Sequence, residues 1–307
     1  MVNVLISGIG GDLGQSIAQI LRKKNKDFKL VGVDANIEHG GKIFVDLFYK
    51  ISHCRKKKYF IDIKKICKLE KIDIIVPSTE IEIFKFSNNL KSFKNTKILI
   101  LDKKIIEIFR DKYTTYKYLK SINIPVPITE TSFKKPLKIP CIFKPRIGSG
   151  STNIRILRNS NDFIFKKNEQ KGYIFQELLK PEDNEFTCCV YRSKIKKISI
   201  IIFKRKLVGG VTVWAKVYNH SKIKKICNLI AEKINLYGSL NIQLILTKQG
   251  PKIFEINPRF SSTVLIRHKL GFKDFEWQLN EALGKKINNN FKLKYKFAAR
   301  VSSINVY

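Results

Sequence analysis

Acidic residues are scarce in this sequence: 25 Asp and Glu stand against 60 Lys and Arg over 307 residues, a formal charge of +35. Such an imbalance attracts polyanions in a salt-dependent way. A nucleic-acid footprint, however, needs its cations clustered. Here they are spread through the chain, and runs such as RKKK at 55–58 and KIKK at 194–197 read as solvated faces of helices and strands. Nucleic acid is therefore not an expected partner. Long apolar runs are also missing: no stretch of about 18 uncharged apolar residues is present to span a bilayer. The start, MVNVLISGIGG, has no basic segment leading into a long apolar one, so no secretory signal is evident and the expected compartment is the cytoplasm. The six cysteines include no CxxC pair, and the four histidines have no finger-like spacing. That excludes a disulfide scaffold and a zinc finger and leaves the thiols as reduced, mostly buried side chains.

What is present is enough apolar material for two or three packed units, 44% of residues being hydrophobic and 11% aromatic. VNVLISGIGGDLGQSIAQILRKK runs from an apolar strand through a glycine turn into a helix. LVGVDAN, KIDIIVPSTE and TKILILD add strands with helical patterns between them. This alternation predicts a parallel, doubly wound sheet over residues 1–105. Gly8, Gly10, Gly11 and Gly14, with Asp34 downstream, resemble a dinucleotide fingerprint, but the third glycine is one position late. The favoured reading is a close helix–strand contact, with a small-ligand role at the strand ends near Ser78, Thr79 and Glu80.

Beyond residue 105 the texture changes. IIEIFRDKYTTYKYLKSINI reads as helix, and Pro125, Pro127, Pro136 and Pro140 then break the chain into short extended pieces. IPCIFKPRIGSGSTNIRIL reads as two strands around a glycine–serine loop. EFTCCVY, ISIIIFKRK and GGVTVWAKVY read as an antiparallel set, followed by a helix, a hairpin and a last helix around KDFEWQLNEALG. The division expected is 1–105, 106–180 as a small lobe and 181–307 as a large lobe.

The hairpin SLNIQLILTKQGPKIFEINPR carries the densest chemistry. A three-residue turn at Lys248, Gln249 and Gly250 sets Thr247 opposite Pro251, Ile245 opposite Ile253, Gln243 opposite Glu255 and Asn241 opposite Asn257. One face then collects oxygen-bearing side chains, while Ile242, Leu244, Phe254 and Ile256 share an apolar face. Carboxylate and amide oxygens suit Mg²⁺ completed by substrate phosphates, and Arg259 is placed for a charge-assisted phosphate contact. The loop Arg146 to Thr152, with Ser149, Gly150 and Ser151, offers backbone N–H groups to phosphates, and Lys144 leads into it. YIFQELL ends a strand at Gln176 and Glu177. Its apolar wall can receive a purine, backbone groups at Leu178 and Leu179 can read the purine edge, and Glu185 can accept from ribose hydroxyls.

In this order, RDKYTTYKYLKSINIPVP, IFKPRIGSGS, FQELLKPEDNEFT and LNIQLILTKQGPKIFEINPRFSST resemble the ATP-grasp superfamily, most closely the synthetase units of the carbamoyl-phosphate synthase large subunit and related ligases. SGIGGDLGQSIA resembles the domain that precedes the grasp in those enzymes. The resemblance implies a two-lobed α+β grasp behind the α/β domain, with ATP between the lobes. It puts Lys112 and Lys144 on the phosphates, Glu177 beside adenine, Glu185 on ribose and Arg259 at the transferred phosphoryl group. Mg²⁺ or Mn²⁺ would sit on Gln243, Glu255 and Asn257. Arg205 would reach an acyl phosphate, and Ser261, Thr263 and Arg267 an acceptor carboxylate. The activity implied is ligation of a carboxylate to an amine through an acyl phosphate. The carboxylate is expected to be a small molecule or sugar nucleotide, such as a surface-polysaccharide uronic acid or an amino acid. A kinase of a small acceptor and a nucleotide- or nucleic-acid-binding protein without turnover remain as alternatives, and homo-oligomer formation is open. One grasp unit with no glutaminase part argues against carbamoyl-phosphate synthesis itself.

Overall fold

Two runs of β-branched residues, VNVLIS and FKLVGVD, start a parallel sheet whose strands lie in the order β3-β2-β1-β4-β5. Its elements are β1 (Val2–Ser7), α1 (Asp12–Arg22), β2 (Phe28–Asp34), β3 (Leu47–Lys50), α2 (Tyr59–Leu69), β4 (Ile74–Val76), α3 (Glu80–Ser87) and β5 (Lys97–Ile98). The computed structural model describes the chain apart from residues 24–26, 132–138, 149, 151, 160–161, 163–171 and 302–307. β1 turns into α1 over Gly8, whose φ is +64°, and a Cβ at Gly14 would come within 2.5 Å of the Gly8 carbonyl oxygen. Asp34 accepts the Gly10 N–H at 2.9 Å. The glycines and Asp34 thus hold a tight turn, in keeping with the structural reading of the fingerprint.

The helix expected to run unbroken from residue 105 is two helices, α4 (Lys103–Arg110) and α5 (Lys112–Ser121). Asp111 between them is extended and caps α5 by accepting the N–H groups of Tyr113 and Thr114, which interrupts the helix and makes Lys112 its first residue. A four-stranded sheet follows, ordered β6-β9-β7-β8 from β6 (Thr129–Glu130), β7 (Cys141–Pro145), β8 (Arg155–Leu157) and β9 (Tyr173–Glu177).

The third sheet has six strands. It comprises β10 (Glu185–Arg192), β11 (Ile198–Val208), β12 (Val211–Tyr218), β13 (Gly238–Thr247) and β14 (Gly250–Asn257), and a short β15 (Phe297–Ala299) pairs with β12. Its helices are α6 (Ser221–Lys233), α7 (Val264–Leu270) and α8 (Asp274–Ala282). Period-two alternation splits the burial of this sheet. Cys188, Ile202, Ile242 and Ile256 face a core shared with α4 and α6, and Cys189, Ile201 and Phe203 face α7 and α8. Phe260, Val264, Phe275 and Leu279 also pack with Ile17, Ile20 and Leu21 of α1 in one core, so the first domain is seated on the helices of the third sheet. Among the described residues no helix is long and apolar enough to cross a membrane.

Candidate active site

β13 and β14 form the floor of a cleft of about 600 Å³ between the four- and six-stranded sheets, with one end closed by the first domain. Gln243 lies opposite Glu255 and Asn241 opposite Asn257, the pairs expected from the sequence. The route to them differs from the expectation. The turn has two residues, with Thr247 opposite Gly250, Ile245 opposite Lys252 and Leu244 opposite Ile253. A bulge at Phe254 then inserts one residue and restores the register before Glu255. Gly250, at φ +117°, and Thr247, whose hydroxyl donates to the Gly250 carbonyl, make the tighter turn possible. Phe254 is corrected accordingly: Ile253 takes its place in the core, and Phe254 lines the cleft with its ring centre 5.3 Å from Lys144 Nζ.

Lys112 enters from the start of α5 and Lys144 from β7. Lys112 Nζ donates to the Gly148 carbonyl at 2.7 Å and lies 3.4 Å from Glu255. Burial lowers the Lys144 pKa to about 8, against the opposing pull of Glu255. For Glu255 the balance is reversed. Burial raises its pKa, but Lys112, Lys144 and Arg259 together outweigh burial and hold the carboxyl below its usual range. Gly148 and Gly150 line the cleft; Ser149 and Ser151 lie outside the described residues. Arg146 turns away to a two-pronged ion pair with Asp111, at 2.7 and 3.0 Å.

The wall beyond is apolar, built from Ile142, Ile156, Leu178, Leu179, Leu207 and Ile245. Gln176 is buried with its amide donating to Thr129 at 3.0 Å. Glu177 pairs with Lys252 at 2.9 Å and accepts the Ile128 N–H at 3.1 Å, a partner set that sequence reasoning missed because the bulge conceals where Lys252 points. Glu185 receives two N–H groups of Arg205, at 2.6 and 3.2 Å, so both sit at this wall.

At the far end Arg259 donates through Nε and Nη2 to one oxygen of Glu80, at 3.1 and 2.7 Å, and through Nη1 to the Phe260 carbonyl. Gly11, Asp12, Leu13, Ser78 and Thr79 from the first domain line the same end, with Ser261 and Ser262 facing them. Thr263 and Arg267 do not reach the cleft, which corrects their expected role at an acceptor carboxylate. Both are 0% exposed. Arg267 is paired with Asp274, at 2.7 and 2.8 Å, and donates through Nη1 to Ser261 and Thr263. With four of its five N–H groups engaged and no exposure, this guanidinium is out of reach of a ligand in the cleft.

Gln243, Glu255 and Asn257 offer one carboxylate and two amide oxygens on adjoining strand positions, all lining the cleft. Lys112, Lys144 and Arg259 already oppose that single negative charge. Bare Mg²⁺ would be repelled there, whereas Mg²⁺ carried by a polyphosphate brings its own negative charge and only completes its oxygen shell on these side chains. The residues fit a metal–nucleotide better than a free ion.

The depressed Lys144 pKa has a measurable consequence. Nucleotide phosphates restore the charged form, so binding takes up a proton and affinity falls as pH rises through about 8. Titration calorimetry with ATP in two buffers of different ionisation enthalpy should show this uptake, and Lys144→Arg should abolish it. Equal heats in both buffers near that pH would remove Lys144 from the phosphate site.

Comparison with known proteins agrees with this fold. Residues 109–263, half of the chain, match the family model of the ATP-grasp domain, and residues 4–101 match that of the PylC-like N-terminal domain. The chain is 26% identical over 258 residues to the 3-methyl-D-ornithine–L-lysine ligase of Methanosarcina acetivorans, covering 83% of this chain and 66% of that protein. It therefore spans just under two thirds of that relative's length. Among solved structures, N5-carboxyaminoimidazole synthetase from Staphylococcus aureus complexed with ADP superposes with a TM-score of 0.75 at 17% identity, over 95% of this chain and 80% of that one. Biotin carboxylase from Campylobacter jejuni gives the same TM-score at 14% identity, over 95% and 73% of the two chains. At such identities the likeness is one of fold, and with half of the chain matched by its model this protein belongs to the ATP-grasp family.

Proposed function

We propose that the chain is an ATP- and Mg²⁺-dependent ligase that activates a carboxylate as an acyl phosphate and joins it to an amine. The observation that carries this reading is the convergence of Lys112 and Lys144 on Glu255, with Gln243 and Asn257 beside it and Arg259 at the end of the same cleft. In the first step a carboxylate oxygen attacks the γ-phosphorus and ADP leaves. Lys112 and Lys144 neutralise the phosphates, Arg259 takes the charge that builds on the transferred group, and the apolar wall holds the purine. When bound, Mg²⁺ on Gln243, Glu255 and Asn257 supplies charge neutralisation at the phosphates. In the second step the amine lone pair attacks the acyl carbon, the carbon–oxygen bond to phosphate breaks, and the surplus proton of the nitrogen passes to solvent.

The carboxylate we propose is that of an amino acid, with a second amino acid as the amine. The name of the Methanosarcina relative supports this choice over a uronic acid. The test is ADP release with a matrix of acids and amines, D-ornithine and L-lysine among them, with and without Mg²⁺. Steady release that needs Mg²⁺, an acid and an amine together is the expected result. Release with a single acceptor and no amine would make the protein a kinase.

A further inference from the structure

We propose that Glu80 is the residue that binds the ammonium group of the incoming amine, taking it up when Arg259 is drawn away to the phosphate. This rests on the ligase reading above. Glu80 is the first residue of α3, and its side chain is 17% exposed at the cleft. Its position is rigid, because Thr79 and Glu82 close a capping box over that helix end. One Glu80 oxygen receives both Nε and Nη2 of Arg259, the edge with which a guanidinium grips a phosphate in two-pronged fashion. Arg259 cannot present that edge to both partners. When the phosphoryl group claims it, the Glu80 carboxylate stays behind, part-buried and unpaired, which is costly unless another cation arrives.

Among the described residues the cleft has no spare cation for it; Arg110, which lines the smaller pocket beside Glu80, is stacked on Phe84 with its guanidinium 3.7 Å from the ring centre. Among the described lining residues the other bases are Lys112, Lys144 and Arg205. Lys112 is held by Glu255 and the Gly148 carbonyl, Arg205 by Glu185, and Lys144 lies over Phe254. The substrate still to come is an amine, which at neutral pH arrives protonated. Its ammonium replaces the guanidinium on Glu80 and gives up a proton through that carboxylate to solvent before the freed lone pair attacks the acyl carbon; Ser78, Thr79, Ser261 and Ser262 line the surrounding wall. The exchange also orders the reaction: the amine gains its anchor only after the phosphoryl group has engaged Arg259. The substrate class so assigned is an amine that is cationic at neutral pH, in preference to an aromatic or acylated nitrogen.

The experiment compares two nucleophiles on Glu80→Gln, which keeps the shape and removes the charge. D-ornithine serves as the carboxylate, L-lysine is the cationic amine, and hydroxylamine, uncharged at neutral pH, traps the acyl phosphate as a hydroxamate. The expected result is a rise of about thirtyfold in the L-lysine KM, beyond whatever loss the variant shows with hydroxylamine. Glu80→Asp should recover part of it. Equal losses with both nucleophiles would mean that Glu80 acts only through Arg259, and the ammonium site would be overturned alone. If the unaltered protein forms no hydroxamate with any acid tested, the ligase reading fails and this inference with it.

Discussion

Replacing Glu255 by alanine should lower ADP release by on the order of a thousandfold while leaving the protein folded. Glu255 is the single carboxylate among the proposed metal ligands and the charge on which Lys112 and Lys144 converge. Its side chain is 19% exposed at the cleft, so removing it leaves space that water fills and no void in a core. A second readout separates metal loss from general damage. Without the carboxylate, Lys112 and Lys144 attract phosphates more strongly, so ATP binding in the presence of a chelator should hold or tighten. The gain in affinity that Mg²⁺ gives the unaltered protein should vanish. Activity within tenfold of the starting protein would remove Glu255 from the chemistry.

Asp274→Ala should be the most destabilising single change in this region, by roughly 3–5 kcal/mol. The Asp274 carboxylate is 1% exposed and accepts from Arg267, Ser239 and Cys189, which tie together α7, β13 and β10. Truncating it leaves the Arg267 guanidinium charged in a dry interior with two of its four hydrogen bonds lost. Thermal unfolding should show a fall of about 10 °C. The double variant Arg267→Met, Asp274→Leu should recover much of that loss, because it removes both charges together. A single variant that melts within a degree or two of the parent would show the pair to be dispensable.

The FEINPRFSST stretch divides at Pro258. Period-two spacing from Glu255 to Arg259 was legible because alternation is a property of any strand, and it correctly sets those side chains on the cleft. After Pro258 the strand ends, and spacing along the chain no longer says where a side chain points. Arg267 and Thr263 show the cost of extending the pattern: a buried arginine and a ligand-binding arginine look alike until Asp274 is seen beside it. The break at Asp111 was legible in principle, since an aspartate before a helical run is a capping signal. The bulge at Phe254 was not, because a phenylalanine inside an apolar strand carries no mark of facing outward. The contribution of the first domain was half visible. Ser78, Thr79 and Glu80 sit at strand ends, where open α/β sheets place their ligands, but the reach of Glu80 to a residue 179 positions away depends on how the domains pack.

That same bulge separates the tip of the hairpin from its cleft end. The register at Gln243 and Glu255 is set by Phe254, and the Lys248–Gln249 tip can change length without turning a ligand face into a core face. A fluorophore or an affinity tag can therefore be carried at this tip without shifting the register of the cleft residues. One residue gained or lost between Phe254 and Asn257 has no such latitude: it would exchange Glu255 and Asn257 for isoleucines on the cleft face and drive the carboxylate and the amide into the core.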